Sequence, residues 1–279
     1  MIAFGGAAPL HAARLAEKLG IARVIVPPNA GVGSAIGFLR APIAFEIVRS
    51  RYMRLSAFDP MRLVFEDLGV LDCPAVPGDE PFSMAVARDD VAWVLYRSGD
   101  LFLVDLKTVV CRPSGFVPGQ QNFVNFGMGF VADFSGSDTE SLFIAGGDPL
   151  RLATIDRPRR LVVPIAPIVG LPELTGTAAG DLWGFFPSTD DTFVARIDKQ
   201  TATRSEMFKI PRIIGQPLDW AFAFWGGDFY IFLQRINDDS TNVYRLSRDF
   251  RVFETALGNT KRHIVGAGVS SCAPVGLDR

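Results

Sequence analysis

Short apolar strands centred on an aromatic residue recur along most of this chain every 40–50 residues, and this period restricts the fold more than any other feature. Trp93, Phe143, Trp183 and Phe229 are separated by 50, 40 and 46 residues. Each is followed by a second apolar run, at 101–105, 153–156, 195–198 and 242–246, and three of these runs close on Asp: Asp105, Asp156 and Asp198. Units of this length made of several short strands are the pattern of propeller blades, because one unit cannot bury its own apolar faces and a stack of them can. The expected fold is therefore mainly β, a four-unit β-propeller-like domain over residues 81–279. Its four aromatics should lie on equivalent strands of successive antiparallel sheets. Four units are few for a closed ring, so an open array is the alternative.

Composition agrees with that reading and removes some partners. The 23 Phe residues favour strands, and the 27 Gly and 19 Pro residues supply turns. Lys and Arg are spread along a chain of net charge −2. No basic stripe points to nucleic acid, and no run of about 18 apolar residues points to a membrane span. The expected partner is a small molecule, a sugar or a protein held on the propeller. The opening residues lack the basic and cleavage regions of a secretory signal, so the chain as written is expected in the cytoplasm. Cys73, Cys111 and Cys272 contain no C-x-x-C pair and therefore no zinc motif. They read either as three buried thiols or as one disulfide, Cys73 with Cys111, plus a free thiol.

Before the repeat, the period is different. Ile2-Ala3-Phe4 reads as a strand that ends at Gly5-Gly6, and Leu10, Ala13, Leu15, Ala16 and Leu19 recur at helical spacing. Pro9 suits the first helical turn and Gly20 the C-cap. Arg23-Val24-Ile25-Val26 reads as a second strand, and Asn29 to Gly37 as a Gly-rich turn opening another helix. This β-α-β order predicts a short α/β segment over residues 1–70. Pro74, Pro77, Gly78 and Pro81 crowd the stretch that follows, so residues 71–80 read as a linker.

The run Ala3-Phe4-Gly5-Gly6-Ala7-Ala8-Pro9-Leu10-His11-Ala12 resembles the signature of hydantoinase/oxoprolinase A subunits, with Ala8 where that family has Gly. Residues 19–28, Gly31-Val32, 34–37 and Val48-Arg49-Ser50 continue the resemblance to about residue 65. It implies an actin-like ATPase fragment from a hydrolase family that opens cyclic amides at the expense of ATP. By position, Gly5, Gly6 and Ala7 would form a nucleotide-binding turn, with ATP as the implied cofactor. The family's other phosphate-binding turns and its catalytic carboxylates lie upstream of the matched segment. The implied activity is therefore incomplete in this chain, and no catalytic residue can be assigned.

Residues 80–275 resemble β-propeller-like proteins of myxobacteria and their relatives. The carrying residues are 116–120, 126–130, 172–177, 182–186, 220–230 and 266–274. That resemblance implies a fold and an exported ancestor, and again no catalytic residues.

A few residue groups could still carry chemistry. Glu173 and Asp181 could form an acid/base pair if neighbouring strands brought them together; the plainer reading is a Glu that caps a turn. Asp89-Asp90, Asp190-Asp191 and Asp238-Asp239 read as calcium-binding pairs or as solvated turns. Trp220, Phe222 and Phe224 share one face of a strand, which makes them either a stacking platform for a ligand or a packing surface. His11 and His263 are the only histidines, too few for a multi-histidine metal cluster.

Overall fold

The computed structural model describes residues 8–25, 53–210, 213 and 215–276. The chain divides into two units, Met1–Arg49 and Ser50–Arg279.

In the first unit, helix α1 (Ala8–Lys18) buries Ala12 and Ala16, four residues apart and so on one face. Leu15 and Leu19, which the helical spacing placed on the buried face, are exposed. Gly20 ends the helix at φ +64°, the left-handed C-cap expected of it. Gly5, Gly6 and Ala7, and the Gly-rich run from Asn29 to Gly37, lie outside the described residues. Among the described residues this unit holds one helix and no actin-like lobe.

The second unit begins earlier than the sequence pattern placed it. Residues 54–70 belong to it as a hairpin of β1 (Arg54–Asp59) and β2 (Val64–Val70). Leu55 faces one neighbouring core, and Phe58 and Phe65 face another. The alternation that shows this is short, and the acidic, exposed β2 hides it.

Sixteen further strands form four antiparallel four-stranded sheets, each pairing in sequence order. The first is β3 (Pro81–Val86), β4 (Val91–Tyr96), β5 (Leu101–Asp105) and β6 (Cys111–Pro113). The second is β7 (Phe126–Ala132), β8 (Glu140–Gly146), β9 (Arg151–Asp156) and β10 (Leu161–Pro167). The third is β11 (Glu173–Gly176), β12 (Leu182–Phe186), β13 (Phe193–Ile197) and β14 (Arg204–Lys209). The fourth is β15 (Pro217–Trp225), β16 (Asp228–Arg235), β17 (Asn242–Ser247) and β18 (Phe253–Leu257). This is the propeller arrangement expected from the repeat, with β3, β7, β11 and β15 as successive inner strands.

All four marker aromatics fall on the second strand of their sheet, and all are buried. Trp93 packs edge-on to Phe130 of the next sheet at 6.1 Å. Phe143 joins the cluster that holds Leu174 and Leu182 of the third sheet. Trp183 lies 4.9 Å from the ring of Phe229 in the fourth. Phe229 itself faces backwards. The residue equivalent to the other three is Tyr230, which pairs with Arg245 as Trp183 pairs with Arg196. A slip of one residue along a strand exchanges its faces. In β16 nearly every residue is buried, so polarity does not reveal which face is which.

The closing Asp residues have a defined task. Asp105 Oδ1 accepts the N–H groups of Lys107 and Thr108, and Asp198 Oδ1 those of Gln200 and Thr201. Asp156 does the same for Arg159, whereas in the fourth sheet Ser247 Oγ accepts from Arg251 and Val252, further along the chain. Each Asp thereby sets the turn between the third and fourth strands, the local competition with regular structure at which Asp excels.

The stretch read as a linker is fastened to the first sheet. Leu71 is buried beside Val94 and Phe102, and Cys73 forms a disulfide with Cys111 in β6, Cα to Cα 4.9 Å. Cys272 is free and exposed. The bridge closes a sequence separation of 38 residues. Cys73→Ser is expected to lower unfolding free energy by roughly 2–4 kcal/mol, since loop-closure entropy returns to the unfolded chain. Cys272→Ser should leave it unchanged. Urea unfolding of both variants, with and without reductant, checks this. Equal midpoints for oxidised wild type and Cys73→Ser would contradict it.

Candidate functional site

Between hairpin β1–β2 and the first and fourth sheets lies a cleft of about 1210 Å³. Its walls are apolar. Met84, Val86 and Val94 form the side of the first sheet, and Ala223, Trp225, Tyr230 and Phe232 that of the fourth. Phe58 and Phe65 close it from the hairpin, with Phe58 5.8 Å from the Tyr230 ring and 5.6 Å from that of Phe232. Its inner boundary is the irregular segment 263–270. A deep apolar cleft with a few polar groups at one end is the usual form of a ligand site.

The polar groups gather where β1 begins. Arg54, Lys261, Arg262 and His263 stand there, against one lining carboxylate among the described residues, Asp67. Arg262 reaches Asp67 at 2.6 Å and Ser56 Oγ at 3.0 Å, and Arg54 reaches Asp67 at 3.1 Å. The hydrogen bond from Arg262, then that from Ser56, holds the Asp67 carboxyl below its ordinary pKa. Asp67 therefore stays ionised and offsets only part of the positive charge at that end. His263 Nδ1 lies 2.6 Å from Gln234 Oε1.

The sequence-derived candidates lie elsewhere. Glu173 is fully buried at the centre of the inner strands, where its Oε1 accepts from Ser83 Oγ at 2.6 Å and from Met128 N at 3.3 Å. Burial, with no cationic partner among the described residues, pushes its pKa up to about 8, against two hydrogen bonds that favour the ionised form. Asp181 lies at the far end of the β11–β12 hairpin, where it pairs with Arg196, so the two carboxyls do not form an acid/base pair. The paired Asp residues are divided among separate cations: Asp90 with Lys107, Asp89 with Arg157, Asp191 with Lys209, Asp238 with Arg235. Among the described residues, no three potential metal ligands converge. Phe222 and Phe224 are buried against Trp183 and Phe229, and Trp220 packs at the edge of the same cluster, so this aromatic face is packing between sheets. His11 is exposed on α1.

Apart from His263, the sequence does not single out the cleft residues as candidates. One signal was available: Asp59 is followed by the same turn as Asp105, Asp156 and Asp198. Its Oδ1 accepts from Met61 and Arg62, and the fourth residue after it, Leu63, takes φ +55° as Val109, Arg160 and Ala202 take +58°, +59° and +57°.

Four sheets stacked about common inner strands define a propeller-type repeat protein. Residues 1–47 match the family model described as Hydantoinase/oxoprolinase. A 50-residue stretch is 44% identical to an uncharacterised protein of Methanocaldococcus jannaschii, covering 18% of this chain and 7% of that protein. The chain thus spans about 7% of the length of the curated relative it matches. Among solved structures it is similar to hydrazine synthase of Kuenenia stuttgartiensis, at 13% identity and TM-score 0.44, over 66% of this chain and 50% of that one. It is also similar to YCF48 from Cyanidioschyzon merolae, at 11% identity and TM-score 0.40, over 69% and 61%. At this level of similarity neither structure bears on ligand or reaction. No described helix is long and apolar enough to cross a membrane.

Proposed function

We propose that the β unit is a binding module and that its ligand enters the cleft between hairpin β1–β2 and the flanking sheets. The supporting observation is the cleft itself, apolar on both walls and positively charged at one end. A small molecule, a sugar or a protein segment is the class of ligand considered, and nucleic acid is not. The Cys73–Cys111 disulfide favours an oxidising compartment as the place of work. An anionic apolar dye, anilinonaphthalene sulfonate, is expected to bind here and fluoresce. Ala57 lines the cleft and is exposed, so Ala57→Trp fills it without entering a core. The dye should bind that variant roughly fivefold more weakly, about 1 kcal/mol. Undiminished binding to a folded Ala57→Trp would place the dye elsewhere and count against the proposal.

A second reading rests on the family match at residues 1–47. In it the protein is a hydantoinase/oxoprolinase-family hydrolase reduced to a fragment, with ATP against Gly5, Gly6 and Ala7. On this reading the chain alone turns over no ATP in the presence of a hydantoin or 5-oxoproline, because the matched stretch carries one glycine turn and no catalytic carboxylate set. Release of phosphate that depends on either substrate and is lost in Gly6→Asp would reverse it.

A further inference from the structure

The two sides of the cleft repeat parts of a sheet. Hairpin β1–β2 has the turn that joins the third and fourth strands of the complete sheets, with Asp59 in the place of Asp105. On the inner side, segment 265–269 (Val-Gly-Ala-Gly-Val) runs beside β3 as β7 runs beside β11. A Cβ on Gly129 of β7 would lie 3.1 Å from the Thr175 Cα, and one on Gly268 would lie 2.9 Å from the Ala85 Cα. Only glycine permits either approach. Ala267 in turn packs against the fourth-sheet cluster that holds Ala221 of β15, so the segment stands between the fourth sheet and the first as an inner strand would. Yet among the described residues Val265–Val269 make no backbone hydrogen bond, and β1 pairs on one edge only.

We infer that the cleft has the place and shape of the second strand of a fifth sheet, and that its ligand is an extended peptide that adds there between β1 and residues 265–269. This rests on the cleft being the binding site. In each complete sheet the second strand is five to eight residues long and antiparallel to both neighbours. An added strand would therefore run against β1 and end where β1 begins, beside Arg54, Lys261 and Arg262. The charge there calls for a carboxylate at or near its C-terminal end. Its side chains would alternate between Val86 and Val94 on one side and Tyr230 and Phe232 on the other, so both faces should be apolar. Main-chain pairing would supply affinity and the two walls specificity, as in other strand-addition complexes.

The probe is a fluorescein-labelled peptide with the sequence of residues 90–96, Asp-Val-Ala-Trp-Val-Leu-Tyr, ending in a free carboxylate. It is titrated into the full chain. Proline at its central position removes a donor and should weaken binding roughly tenfold or more. Amidation of its C-terminus, or Lys261→Glu in the protein, should each weaken it roughly threefold to fivefold. Amides of residues 265–269 should exchange freely in the protein alone and become protected with peptide. Dye binding weakened in Ala57→Trp, together with no peptide binding, would overturn the strand and leave the binding module standing. No dye and no peptide binding would overturn both. Protected amides at 265–269 in the peptide-free monomer would show that this chain fills the position itself. The same protection confined to a dimer in light scattering would assign it to a second copy. Either result overturns an added peptide as the occupant.

Discussion

Glu173→Gln is expected to raise the stability of the β unit at pH 8 by an amount on the order of 3–5 kcal/mol, and to leave it nearly unchanged at pH 4. Glu173 is buried, with its pKa raised to about 8 from an ordinary 4.5. Below pH 4.5 the carboxyl is protonated in both folded and unfolded chains and contributes no pH dependence. Between 4.5 and 8 the unfolded chain ionises while the folded one does not, so stability falls as pH rises through that window and levels off above it. Glutamine keeps the oxygen that accepts from Ser83 and Met128 and has no proton to lose. The carboxyl of Asp219 is also raised by burial and bends both curves in the same sense. The readout is therefore the difference between the two proteins, from urea midpoints measured at half-unit pH steps. A constant difference across the range would show that Glu173 does not titrate as described.

Trp183→Ala should cost about 3–5 kcal/mol, enough to threaten a domain of ordinary stability. The indole is fully buried between the third and fourth sheets, with Phe229 at 4.9 Å, Phe250 at 6.1 Å and the Arg248 guanidinium 4.3 Å above it. Truncation empties that space, and the stacked sheets can close around it only in part. Trp183→Phe separates packing from polarity. The indole N–H is buried with no acceptor among the described residues, so phenylalanine removes that donor while keeping most of the contact area. Its cost should be less than half that of alanine. Chemical denaturation of both variants tests the pair. Equal losses would mean that the indole's size, or its place over Arg248, matters more than the ring packing described here.

The repeat was legible because it is written locally. Trp93, Phe143 and Trp183 each sit in a short strand whose hairpin partner comes next in the chain, and Asp105, Asp156 and Asp198 mark their turns. Phe229 misled by one position because β16 is buried on both faces and shows no alternation. Residues 54–70 were assigned to the preceding segment, since a continuing family resemblance and an acidic, exposed β2 mask a hairpin whose apolar residues are few. The cleft was least legible. Phe58 and Tyr230 are separated by most of the chain and meet only because successive sheets carry the fourth back towards the hairpin. No period in the sequence encodes that return. Segment 265–269 shows no strand signature because two of its five residues are glycine, which is depleted in strands.

Glu173 also bears on rates. From β11 it reaches past β7 to Ser83 on β3, and its two partners are a hydroxyl and an amide. Neither takes up a proton at neutral pH. A proton on that carboxyl has no neighbouring base among the described residues to take it, so its loss is expected to follow the parting of the inner strands. After a rapid jump from pH 5 to pH 9, the carboxyl should lose its proton at the frequency with which the strands separate. Infrared absorption of the protonated carboxyl would then serve as a clock for that opening, read in a protein carrying no added probe.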